Sequence, residues 1–159
     1  MYIIKLYQFT FKIVVLTLVF SHNVFSETLI VNIESKHNNG LALIGIYDKE
    51  ENFGKAKVNQ ELKEEKVLTG AVTKITNNRA QIKFNIPFGS YAISGFQDFD
   101  GNGIMSGNFL GIPKEPFGFS NNARGKFGPP KWKDAVFIFN TPNQEVILKL
   151  KKLQNPFFI

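Results

Sequence analysis

Apolar and polar residues alternate with a period of two along most of this chain. Half-buried strands require this pattern, because successive side chains point to opposite faces. In residues 28–35 (TLIVNIES), Leu29, Val31 and Ile33 alternate with Ile30, Asn32 and Glu34. Residues 41–47 (LALIGIY) form a second run, and the Asn- and Gly-rich segment 36–40 between them predicts a turn and so a hairpin. A third run, 66–75, alternates around Gly70 and turns at Asn77-Asn78. In 80–86 (AQIKFNI), Ala80, Ile82, Phe84 and Ile86 share one face. Pro87-Phe88-Gly89 turns the chain into 90–97, where Tyr91, Ile93 and Gly95 oppose Ala92, Ser94 and Phe96. The last runs are 135–139 (AVFIF) and 145–153 (EVILKLKKL), joined by a turn at Thr141-Pro142-Asn143, with Val146, Leu148 and Leu150 opposite Lys149 and Lys151. Seven strands with almost no helix predict an all-β fold, a seven-stranded antiparallel β-sandwich, with a small closed barrel as the alternative.

Two internal segments break the alternation. Residues 48–65 are charged and have only Phe53, Val58 and Leu62 as spaced apolar anchors. They read as a solvated connection with one or two helical turns around 60–65. Residues 98–132 (DFDGNGIMSGNFLGIPKEPFGFSNNARGKFGPPKW) have no period, are rich in Gly and Pro, and hold the only tryptophan. A connection this long is usually functional or disordered. Its aromatic residues (Phe99, Phe109, Phe117, Phe119, Phe127 and Trp132) argue against disorder. It reads as one long ordered loop on a β-scaffold. Residues 155–159 (NPFFI) form an apolar tail that would cover a sheet edge or stay exposed.

The first 26 residues are set apart by composition. Lys5 and Lys12 precede the apolar run 13–20, and Val24-Phe25-Ser26 suits a cleavage site, so residues 1–26 read as a secretory signal peptide cut after Ser26. A retained membrane anchor is the competing reading. The apolar run is shorter than the ~18 residues of a spanning helix, so no transmembrane segment is expected after cleavage. Residues 27–159 then make a single domain, exported to the periplasm or secreted. Loss of the two lysines lowers the net charge from +6 to +4. The basic residues are scattered, without a stripe suited to nucleic acid. Cysteine is absent, which excludes disulfides, thiolate metal sites and a cysteine nucleophile.

The acidic start of the long loop carries the clearest chemistry. Asp98, Asp100 and Asn102 stand at positions 1, 3 and 5 of a D-x-D-x-N-G pattern, with the carbonyl of Ile104 at position 7 and Ser106 at position 9. A tight turn brings such alternate oxygens inward, as a hard cation like Ca²⁺ needs. Phe109 stands at position 12, where an EF-hand has Glu, and Glu115 is the nearest carboxylate that could fold back to complete a shell. Asp, Asn and Gly are equally the residues of ordinary tight turns. Further on, Phe117, Phe119, Phe127 and Trp132 read as a mini-core sealing the open end of the sandwich. The same region also reads as a shallow pocket, in which Phe117, Phe119 and Trp132 bind a ligand with Asn121, Asn122 and Arg124 as polar contacts.

Enzyme signatures are sparse. Residues 27–159 hold one histidine, His37, far along the chain from the loop, and the G-x-S-x-G, H-E-x-x-H and phosphate-binding Gly patterns are missing. Ser120 would need a base to act as a nucleophile. The reading favours a non-enzymatic binding or structural module of the cell envelope, whose partner is a protein, glycan or small ligand. An envelope hydrolase using the acidic loop is the alternative. A third reading makes the loop a lid and assigns function to 48–65 or a free sheet edge.

Residues 97–137, with their D-x-D-x-N-G, G-I-P-x-E, G-F-S-N-N and F-G-P-P-x-W-x-D-A runs, resemble the signature of a bacterial exported family, domain of unknown function 2141. The preceding strands, including 86–91 (IPFGSY), also fit. The resemblance implies an exported β-sandwich, prealbumin-like or immunoglobulin-like, for which no activity is established. The family commonly has Asp where Ser106 stands, so this chain has one carboxylate fewer.

Overall fold

The computed structural model describes residues 26–61, 66–126 and 128–153. The expected signal segment up to residue 25, residues 62–65 of the helical turns expected around 60–65, Phe127 and the 155–159 tail lie outside the described residues; 60–61 are not helical. Eight strands are described: β1 (Ser26–Ser35), β2 (Leu41–Tyr47), β3 (Thr69–Lys74), β4 (Arg79–Pro87), β5 (Gly89–Asp98), β6 (Phe117–Phe119), β7 (Phe137–Phe139) and β8 (Gln144–Leu150). A short helix α1 (Trp132–Ala135) precedes β7. The fold is all-β and built of two sheets. One has the order β4-β1-β8; the other has the order β3-β2-β5-β6, with β7 also paired to β5.

Alternation sets which face of each strand is buried. Leu29, Val31 and Ile33 of β1, Ile82, Phe84 and Ile86 of β4, and Leu148 and Leu150 of β8 point into one core. Ala42, Ile44 and Ile46 of β2, Tyr91 and Ile93 of β5, and Phe139 of β7 meet them from the other sheet. The outward residues of the first sheet make a polar ladder: Gln81 Nε2 donates to Asn32 Oδ1 (2.8 Å) and Asn32 Nδ2 donates to Glu145 Oε2 (2.8 Å).

Three predicted features are corrected. The expected β1–β2 hairpin does not form: β1 pairs with β4 and β8, and β2 pairs with β3 and β5. Segment 36–40 carries the chain from one sheet to the other. Gln97, fully buried, holds it there by donating from Nε2 to the carbonyls of His37 (3.1 Å) and Asn39. The strands are not all antiparallel, since β1 and β8 run parallel from Leu29↔Gln144 to Ser35↔Leu150. Finally, Ala135 ends α1, which leaves only Phe137–Phe139 of the predicted 135–139 strand.

The extra strand, β6, lies inside the long loop. It pairs with β5 at Ser94↔Phe119, Gly95↔Gly118 and Phe96↔Phe117. Phe117 also exchanges backbone bonds with Lys151 just beyond β8 (3.1 and 3.0 Å). A Cβ on Gly118 would collide with the carbonyl of Lys149, a backbone atom that cannot swing aside. Only glycine lets β6 lie this close to β8, which makes the loop part of the sheet system.

Candidate functional site

Asp98 is the last residue of β5 and is 1% exposed. Its Oδ1 accepts the N–H groups of Asp100 (3.2 Å) and Gly101 (2.7 Å), and its Oδ2 accepts that of Gly103 (2.8 Å). The same turn chemistry repeats down the loop. Asp100 Oδ1 accepts the Asn102 N–H (3.2 Å), and Asn102 Oδ1 accepts the Ile104 N–H (2.6 Å). Gly101 and Gly103 supply the left-handed corners at φ +74° and +75°. The loop therefore winds its amides onto the side chains at 98, 100 and 102.

Glu115 folds back to the same place. It is 3% exposed; Oε1 accepts the Phe99 N–H (2.8 Å) and Oε2 the Ser106 N–H (2.8 Å). Carboxylate oxygens of Asp98, Asp100 and Glu115 lie within 4.8 Å of one another. Burial pushes the Asp98 carboxyl upward in pKa. Bonds from the Gly103 and Gly101 amides, with further help from Asp100, outweigh it and hold the carboxyl below its ordinary value. Asp98 Oδ1 is filled by two N–H bonds. The remaining carboxylate oxygens each accept one bond, which leaves lone-pair capacity for a hard cation.

Among the six sequence candidates for a metal, the structure unites the three carboxylates. Asn102 is committed to the turn, its Nδ2 donating to Asp100 Oδ2 (2.9 Å). Ile104 and Ser106 give their N–H groups to Asn102 and Glu115. His37, distant in sequence, packs its ring edge-on against Phe99 at 5.4 Å, and Lys152 Nζ sits 5.3 Å over the same ring. The sequence carried no signal for that meeting, because it depends on β2 pairing with β5.

The aromatic part of the loop covers the outer face of the β3-β2-β5-β6 sheet, not the open end of the two-sheet stack. Phe53 is its centre. It is buried, with edge-to-face partners Tyr47 (5.6 Å), Phe119 (5.7 Å) and Trp132 (5.7 Å). Ala92, Ala123 and Ala135 complete this second cluster. Segment 48–61 is thus more than a solvated connection. Phe117 lies beside Phe119 (6.1 Å), with the exposed Arg124 guanidinium 5.9 Å over its ring. Asn121 Nδ2 donates to the Val136 carbonyl (2.9 Å) and so braces the chain, whereas Asn122 is exposed at φ 52°. Ser120 is fully buried; its hydroxyl donates to the Ala135 carbonyl (2.6 Å) and accepts the Ile93 N–H (2.9 Å). Its oxygen is engaged in holding the loop to β5.

A two-sheet all-β scaffold carrying an internally bonded acidic loop and an aromatic cover defines the class. The chain belongs to the family described as "uncharacterized protein conserved in bacteria (DUF2141)", whose model matches residues 31–147. No curated protein and no solved structure matches it.

Proposed function

We propose that this protein is an exported, non-enzymatic binding or structural module of the bacterial cell envelope, acting in the periplasm or outside the cell. The loop after β5 is its working surface. In this reading the domain is prealbumin-like or immunoglobulin-like in connectivity, and Ca²⁺ stiffens the loop through Asp98, Asp100 and Glu115. The observation that carries it is the cluster of three carboxylates within 4.8 Å, two of them almost fully buried. Like charges so close repel one another, and a divalent cation relieves that repulsion. The N-terminal composition supports export. The exposed Arg124 over the Phe117 ring, with the exposed Asn122 two residues before it in the chain, is where an envelope protein, glycan or small ligand would sit, since scaffolded loops commonly carry recognition.

The test is retention from bacterial envelope extracts on the immobilised protein. Asn122→Ala with Arg124→Ala is expected to abolish retention. Gln81→Ala with Lys83→Ala, on the outward face of β4, is expected to leave it intact. Retention lost only in the second pair would move function to that face, and no retention by wild type would count against a binding role.

A further inference from the structure

We propose that the tip of the long loop, at Phe109 and Leu110, docks into the surface of an anionic lipid bilayer. This goes beyond the preceding reading, because the surface is the projecting tip and the partner is lipid.

The tip is built rather than loose. Asn108 Oδ1 accepts the N–H groups of Leu110 (3.0 Å) and Ile112 (3.0 Å). The Asn108 N–H donates to the Ile112 carbonyl (2.9 Å), and the Gly111 N–H to the Asn108 carbonyl (3.0 Å). Segment 55–59 buttresses the turn: Val58 occupies the space a Cβ on Gly107 would need, and Asn59 Oδ1 accepts the Gly107 N–H (2.9 Å). On this frame Phe109 is 95% exposed and Leu110 65% exposed. Two adjacent large apolar side chains held outward by a bonded turn gain nothing from the fold itself. Burial in a hydrocarbon boundary is where they contribute.

Charge selects the partner. The two segments that build the projection, 55–59 and 101–114, carry the exposed Lys55, Lys57 and Lys114, and the acidic residues that flank them in sequence are the exposed Glu61 and Asp100 and the buried Glu115, the last two in the cluster with Asp98 at the end of β5. Lysine stems lie along apolar surface while their ammonium groups reach outward to lipid phosphates. An apolar tip with a basic collar matches an anionic headgroup layer over hydrocarbon.

The test uses protein expressed from the full 159-residue sequence and purified as the cell exports it, mixed with vesicles of phosphatidylglycerol or of phosphatidylcholine. Co-sedimentation is expected with the first and weak with the second. Each collar lysine adds about fivefold, so Lys55→Gln, Lys57→Gln and Lys114→Gln together should weaken binding on the order of a hundredfold. Phe109→Ser with Leu110→Ser should reduce it at least as far while leaving the unfolding midpoint unchanged, since both residues are exposed. A tip-specific readout is Phe109→Trp in vesicles with brominated acyl chains, with Trp132 emission in the parent as the blank. Quenching at the tip supports insertion whatever else touches the membrane. Absence of tip quenching on both lipids, or binding unaffected by the Phe109 and Leu110 changes, overturns the proposal. Such a result leaves the envelope-ligand reading open to its own retention test, and capture of a protein that requires Phe109 would reassign the tip to a protein partner.

Discussion

Phe53→Ala is expected to destabilise the fold by about 3–4 kcal/mol, the range for emptying a buried phenylalanine site. The site cannot collapse to fill the gap, because its walls are the rings of Tyr47, Phe119 and Trp132, each held by its own strand or helix. Edge-to-face contacts add to the area term, and all three are lost together. For a domain of this size the unfolding midpoint should fall by roughly 10 °C. The only tryptophan of the chain, Trp132, reports the change directly: its emission should shift red in the folded variant as water reaches the ring. Phe53→Leu should recover most of the loss. A cost below about 1 kcal/mol for the alanine variant would mean that segment 48–61 merely lies over the sheet and that the aromatic loop stands without it.

Asp98→Ala carries the second large effect, about 3 kcal/mol. It removes the acceptor for the N–H groups of Asp100, Gly101 and Gly103, and orphaned donors beside a buried site cost about 1–3 kcal/mol each where water does not replace the acceptor. The effect has a defined pH dependence. The folded carboxyl titrates below its reference value of 3.8. Its ionised form is the stabilising one, so the contribution is fully present above that value and is lost as pH falls through the lower folded value. Urea unfolding of wild type and variant between neutral pH and about pH 2 should therefore show two curves that converge at the acid end. Amide exchange at Gly101 and Gly103 should accelerate in the variant. Parallel curves at all pH values would show that the carboxylate does not organise the turn.

Much of this architecture was legible as pattern, because period-two alternation reports which face of a strand is buried. Leu29, Ile82 and Leu148 are core residues as their spacing predicts. Pairing was less legible. A strand that buries one face looks the same whether its neighbour in sequence joins it in one sheet or faces it from the other, so the β1–β2 hairpin was predicted and the parallel β1–β8 pair was not. The strand β6 is three residues long with a glycine at its centre, too short for a period to show.

In the candidate site, the D-x-D-x-N-G spacing and the return of Glu115 were readable from local chemistry. The pairing of His37 with Phe99 and the role of Gln97 were not, because both depend on the β2–β5 register. Phe53 was one of three spaced apolar anchors in a charged segment, and nothing along the sequence tied it to Trp132. The aromatic residues of the loop were predicted to pack together; Phe117 does lie on Phe119, and Phe119 and Trp132 share a cluster, but that cluster is centred on Phe53 with Tyr47 on the face of a sheet.

The central claim is that the acidic loop is a cation-ordered surface. Calorimetric titration of Ca²⁺ into the purified protein, with thermal unfolding in calcium and in chelator, tests it most directly. The account predicts binding at one site, lost in Asp100→Ala, and a stability gain of about 2.7 kcal/mol at a calcium concentration roughly a hundredfold above Kd. Asp100 is exposed, so its replacement removes a ligand without emptying the core. No heat and identical melting with calcium and with chelator would contradict the account and reduce the 98–103 segment to turn chemistry.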